Sequence, residues 1–162
     1  MRAGEREALR RRFQFRCGYC GVNERDAGAE LTVDHFQPRS QGGLHDPDNL
    51  VYCCHACNEF KGDFWQPTSS RRILHPLKDD LAEHLIEQED GTLRPLSETG
   101  AFHIEKLHLN RPQLIEYRCD RRRLEAARQA QTRLLERLQR LEEQVTSLAT
   151  QLEQLDRGDS TS

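Results

Sequence analysis

Apolar side chains four apart, Leu9 and Phe13, mark the charged stretch 5–15 as a short amphipathic helix. Farther along, Leu31-Thr32-Val33-Asp34-His35 alternates apolar with polar and is β-branched, so it reads as a strand ending at an Asp-His pair. Gln41-Gly42-Gly43 and Asp46-Pro47-Asp48-Asn49 supply turn chemistry for a loop that returns to the apolar run Leu50-Val51-Tyr52. From Cys54 to about Asp63 nothing interrupts a helix before Gly62. Residues 81–88 and 92–96 flank Glu89-Asp90-Gly91 as the arms of a hairpin, although the first arm could equally be helical. After Thr99-Gly100 a helix is expected through Leu109, and Asn110-Arg111-Pro112 reads as a cap with proline in the first turn of the next helix.

That next helix meets no further proline, and no glycine before Gly158. From Leu134 its apolar positions run Leu134, Leu138, Leu141, Val145, Leu148, Leu152 and Leu155, alternating steps of four and three, the 3.5-residue period of a coiled coil. With Leu138, Val145 and Leu152 at a, the d positions are Leu134, Leu141, Leu148 and Leu155; upstream the seam weakens to Leu124 and Gln131 at a and Ala127 at d. Arg137 at g and Glu142 at e would attract across a parallel dimer, whereas Arg123 and Arg128 would repel. Residues 124–155 are therefore expected to bury their stripe in a homodimer or a partner protein, the alternative being a helix that folds back on its own domain.

Composition adds a second source of stability. Apolar residues make up 35% of the 162-residue chain against 31% charged, with one Trp, three Tyr and six Phe, so the core is thin. Six cysteines are the compensation expected. The chain as it stands has no secretory leader and no apolar run near the ~18 residues of a membrane span, which implies a reduced, cytoplasmic compartment without membrane association. There, Cys17-Gly18-Tyr19-Cys20 and Cys54-His55-Ala56-Cys57 read as two C-x2-C knuckles closing a tetrahedral zinc site. Cys53 could replace Cys54 with one residue more of spacing; the matching gap favours Cys54, leaving Cys53 as a small core residue. Four thiolates leave no open position, so this zinc is expected to be structural.

The net charge of −3 conceals a basic end: six arginines against two glutamates leave the first 20 residues at +4. Arg10, Arg11 and Arg12, with clusters at Arg71-Arg72 and Arg121-Arg122-Arg123, form an expected track for DNA phosphates. Lys61, three residues beyond Asn58 and thus on the same helix face, is expected to hold a phosphate as a point charge. His45 sits in the long loop and could approach DNA.

The chain reads CGYC, then LTVDHFQPRSQGG, then DNLVYCCHACNEFKGD, and in this order and spacing the stretch from Cys17 to about Asp63 resembles the HNH nucleases of the ββα-metal fold. Asn58 stands at the third signature position where others carry histidine, the H-N-N form. The resemblance implies a metal-dependent endonuclease hydrolysing DNA phosphodiester bonds. It makes His35 the general base and brings it into one cleft with Asp34 at the strand's end, and it has Asn49 orient that imidazole or pin the loop, where the turn alone would use Asn49 as a cap. Asp34 and Asn58 offer the hard oxygen ligands preferred by Mg²⁺ or Mn²⁺. Stand-alone bacterial proteins similar to this chain, with an LNRPQL-like segment, also occur in defence-type systems, which implies as an alternative a non-catalytic or partner-activated zinc module docking through the coiled coil.

The fold class expected is α+β: a zinc-stapled ββα-metal core, an α/β extension and a long C-terminal coiled-coil helix. The boundaries expected are a basic arm at 1–16, the core at 17–66, a hairpin and helix at 67–110, the long helix at 111–157 and a disordered tail at 158–162.

Overall fold

A computed structural model describes the backbone of residues 3–159 and the side chains of residues 4–151. Arg2, the end of the expected tail at 160–162 and the side chains of Leu152 and Leu155 lie outside the described residues. The chain separates into two compact units, Met1–Cys119 and Asp120–Ser162. The first turns of the last helix, up to Cys119, belong to the first unit.

In the first unit, α1 (Ala3–Arg12) lays Leu9 into the core, with Phe13 buried just past its end. A reversal through Gln14 and Phe15, both in the left-handed region, leads into the first knuckle. There the Cys17 amide donates to Val22 O at 2.8 Å and the Gly18 amide to Tyr52 O at 2.8 Å, which fastens the knuckle to the second strand. A four-residue helix, α2 (Glu24–Ala27), precedes β1 (Thr32–His35), which pairs antiparallel with β2 (Leu50–Cys53) in the register Thr32↔Cys53 to His35↔Leu50. All four residues of β2 are buried, as a continuous apolar strand covered on both faces must be. Then α3 (His55–Lys61) starts directly from Cys54 and stops before Gly62.

The extension is a hairpin of β3 (Leu85–Glu87) and β4 (Leu93–Pro95) followed by α4 (Glu98–Lys106). A single 3-10 turn, Leu81–Glu83, precedes the first arm instead of a helix. Ser97 caps α4 through the Gly100 amide at 3.0 Å, so the helix begins before Gly100. A glycine is required inside it because a Cβ there would lie 1.8 Å from His84 O. Asn110 does not cap the last helix: its side chain accepts from Leu93 N at 2.7 Å and donates to Leu93 O at 2.8 Å, clamping the hairpin. Buried His103 accepts from Leu74 N at 3.0 Å through Nδ1, and burial drives its pKa down to about 4. The last helix, α5 (Pro112–Asp159), places Leu114 in the core and Arg118 against Gly91 O at 2.8 Å. Its part in the second unit carries Leu134, Leu138, Leu141, Val145 and Leu148 exposed. The described residues thus form an α+β fold with a ββα core, and none of their helices is long and apolar enough to cross a membrane.

Candidate functional site

Two turns of chain bring the thiols together. The first knuckle is a tight reversal, and the second uses Cys54 as the N-terminal residue of α3 with Cys57 one turn on, where the helix's partial positive charge favours thiolate. The sulfurs of Cys17, Cys20, Cys54 and Cys57 all lie within 4.8 Å of one another, and Cys20 Sγ is 3.7 Å from Cys54 Sγ. That separation is what tetrahedral Zn–S bonds of ~2.3 Å require, so the donor set fits structural zinc. Cys53 stands apart from the cluster: fully buried at the end of β2, it is a core residue. Arg111 reaches the cluster from the LNRPQL segment, its Nη2 4.0 Å from Cys57 Sγ, a cation beside collected negative charge.

Below this clamp, the last two residues of β1 point to different surroundings. Asp34 is 8% exposed and faces α3, where Lys61, 1% exposed, sets its Nζ 3.1 Å from Oδ1 and 3.0 Å from Oδ2. Tyr19, from inside the first knuckle, donates its hydroxyl to Asp34 Oδ2 at 2.7 Å. Burial raises the Asp34 pKa more than Lys61 and the Tyr19 hydrogen bond lower it. Lys61 also donates to His35 O at 3.0 Å. The expectation of a phosphate-facing ammonium is therefore corrected: on a short helix packed against β1, the position three residues after Asn58 turns inward and becomes the counter-ion of Asp34.

His35 is half-buried, and its Nε2 lies 3.0 Å from Nδ1 of His45, which is exposed on the returning loop. Burial, His45 and Arg39 hold the His35 pKa below the ordinary histidine value, with Asp34 acting in the opposite direction. Asn49 pins the loop: its Oδ1 accepts from Gln37 N at 2.7 Å and its Nδ2 donates to Gln37 O at 3.0 Å and Leu44 O at 2.8 Å. The imidazole is held by His45, not by Asn49. Gly43 permits the tight crossing, since a Cβ there would sit 1.8 Å from Gln37 O. Asn58 is half-buried on α3, one turn before Lys61. A carboxylate has about four acceptor positions, and Lys61 and Tyr19 leave Asp34 one on Oδ1; it and the Asn58 amide are oxygen donors of the hard kind that divalent cations such as Mg²⁺ take.

The arginines expected to face DNA are occupied. Arg10 forms two 2.8 Å hydrogen bonds to Glu24 and one of 2.8 Å to Glu7. Arg11 pairs with Glu7 at 2.7 Å, and Arg12 with Asp48 at 2.8 Å and Pro47 O at 2.9 Å. A count of charges along the first 20 residues misses acidic partners that arrive from residues 24, 30 and 48; the basic arm is a helix stapled to its own domain. Tyr19, His45 and Arg111 are the site residues that sequence reasoning did not assign. Only His45 carried a signal, as a histidine in the loop between the two signature segments.

Residues 17–64 match the family model described as HNH endonuclease. The Septu protein PtuA of Bacillus mycoides is 24% identical over 141 residues, which covers 68% of this chain and 20% of that protein. The CRISPR-associated endonuclease Cas9 of Corynebacterium diphtheriae is 40% identical over 53 residues, which covers 32% of this chain and 5% of that protein. The chain thus spans a fifth or less of these relatives. No solved structure gives a significant match. The segment from the first knuckle to the end of α3, with its collected thiols and its Asp-His pair at the end of β1, is an HNH endonuclease domain.

Proposed function

We propose that this chain is a metal-dependent nuclease that hydrolyses DNA phosphodiester bonds in a bacterial defence setting. The observation that carries the reading is the coincidence of the matched stretch 17–64 with a β1–β2–α3 unit, closed by four thiols, in which β1 ends on a buried carboxylate and a half-exposed imidazole. Zinc on Cys17, Cys20, Cys54 and Cys57 holds the unit closed and takes no part in the reaction. Asp34 and Asn58 are the residues that would hold Mg²⁺ or Mn²⁺, which would supply charge stabilisation at the phosphate and activation of the attacking water. His35, kept neutral by its lowered pKa, takes the proton of the attacking water as general base. Asn49 fixes the loop beside it. Arg39, exposed on that loop and near enough to bias His35 electrostatically, is the cation best placed for the substrate phosphate.

The test is supercoiled plasmid incubated with the purified chain and Mg²⁺ or Mn²⁺, compared with His35→Ala and with excess chelator. Nicking by the native chain and a loss of about 10²- to 10⁴-fold in His35→Ala is the expected result. Equal nicking by both removes His35 as base. The exposed stripe Leu134, Leu138, Leu141, Val145 and Leu148 favours a second reading, a partner-activated or non-catalytic subunit docked through α5. Silence from both proteins, with zinc bound and the fold intact, decides for that reading.

A further inference from the structure

We infer that His45 is a positioning residue that sets the tautomer of His35. The inference rests on His35 acting as the base in the nuclease reading, and begins from a single contact, His35 Nε2 to His45 Nδ1 at 3.0 Å, with the rings tilted by 49°. Two neutral imidazole nitrogens at this distance share one proton, so one ring donates and the other accepts. Glu5 biases which through its charge. Its Oε2 lies 4.0 Å from the other nitrogen of His45, Nε2, too far for a direct hydrogen bond but close enough for a carboxylate to favour N–H on that side. His45 then carries its proton on Nε2 and a lone pair on Nδ1. With His45 in that tautomer, His35 donates from its own Nε2, which leaves His35 Nδ1 unprotonated and free to take a proton from water. This is the arrangement in which a carboxylate and one ring fix the orientation and basicity of a second ring.

The loop is built to hold His45 in place. Asn49 grips the carbonyl of Leu44, the residue before it, at 2.8 Å, and Asp46, the residue after it, accepts from the Asp48 amide at 2.8 Å. Gly43 lets the chain cross Gln37 closely enough for the loop to lie back over β1. A histidine needed only for solvation would require none of this bracing. Asn49 is thereby connected to the chemistry: it fixes the loop, the loop fixes His45, and His45 fixes the nitrogen that His35 presents.

The experiment is ¹⁵N NMR of the histidine side chains in the zinc-loaded full chain, without DNA or divalent ion, for the native protein, His45→Ala and His45→Asn. His45 is exposed, so neither substitution removes core packing. In the native chain, His35 Nε2 is expected at the protonated shift and Nδ1 at the unprotonated shift. His45→Ala moves both toward the average of exchanging tautomers, and His45→Asn, whose amide oxygen replaces the Nδ1 acceptor, restores them. Plasmid nicking then falls roughly 10- to 100-fold in kcat for His45→Ala at unchanged KM. Identical His35 shifts in the native chain and His45→Ala overturn the inference. Because the spectra need no turnover, an inactive native protein would refute the nuclease reading while leaving the contact between the two rings to be judged by its own measurement.

Discussion

At the level of single residues, the pairing of Asp34 with Lys61 has the largest consequence. Each charge is almost entirely removed from water, and removing one partner leaves the other buried and uncompensated, which typically costs about 3–5 kcal/mol. A surface lysine that merely touched DNA would cost almost nothing to replace. Lys61→Met is therefore expected to lower unfolding stability by about 3 kcal/mol, part of the loss being relieved because Asp34 can take up a proton. Adding Asp34→Asn removes the stranded charge and should recover much of that loss. Chemical denaturation of the native chain, both single variants and the double variant measures the coupling, and a Lys61→Met variant as stable as the native chain would refute the buried pair. Linear sequence could not reveal this arrangement. It placed Lys61 on the face of Asn58, but which way that face turns depends on how α3 lies on β1, and that packing is a tertiary fact.

Elements were more legible than side-chain directions. The two C-x2-C spacings, the alternation ending at Asp34-His35 and the uninterrupted apolar run at 50–52 each encode local geometry: the first spacing lies at a turn, and the others lie where the start of α3, β1 and β2 form. Gly100 and Asn110 were misread for the complementary reason: one is shaped by the backbone of His84, the other by Leu93, both distant in sequence. The element-level prediction concerns the zinc clamp. The two strands pair over only four residues, too little for independent stability, so the clamp must hold them. Metal ligation contributes on the order of 10 kcal/mol in small zinc domains. Chelation or Cys20→Ser should therefore release the β1 end of the unit, read through fluorescence of Trp65, which stands edge-on to Phe36 with ring centroids 5.5 Å apart. Unchanged Trp65 emission after complete loss of zinc would show that hydrophobic packing alone suffices.

For the molecule as a whole, the open question is what covers the leucine stripe of the second unit. Leu134, Leu138, Leu141, Val145 and Leu148 are all about half exposed or more, and a helix with such a stripe left in water gains nothing from it. Helical propensity and occasional i,i+4 contacts, such as Gln139 to Glu143 at 3.4 Å, contribute only a few tenths of a kcal/mol each. Pairing two such stripes buries a and d side chains against one another, and Arg137 to Glu142 adds attraction across a parallel pair while Arg123 and Arg128 confine the seam to the downstream heptads. A parallel pairing of two such stripes is therefore the expected outcome. Sedimentation equilibrium should give twice the 18.9 kDa chain mass, falling to the monomer in the double variant Leu141→Asp/Leu148→Asp, with thiol-bound zinc unchanged in both. If the native chain sediments as a monomer, the stripe is reserved for a different protein. In that case adding the chain to a candidate partner should reduce solvent exchange at residues 134–148 and nowhere in the zinc-bound core.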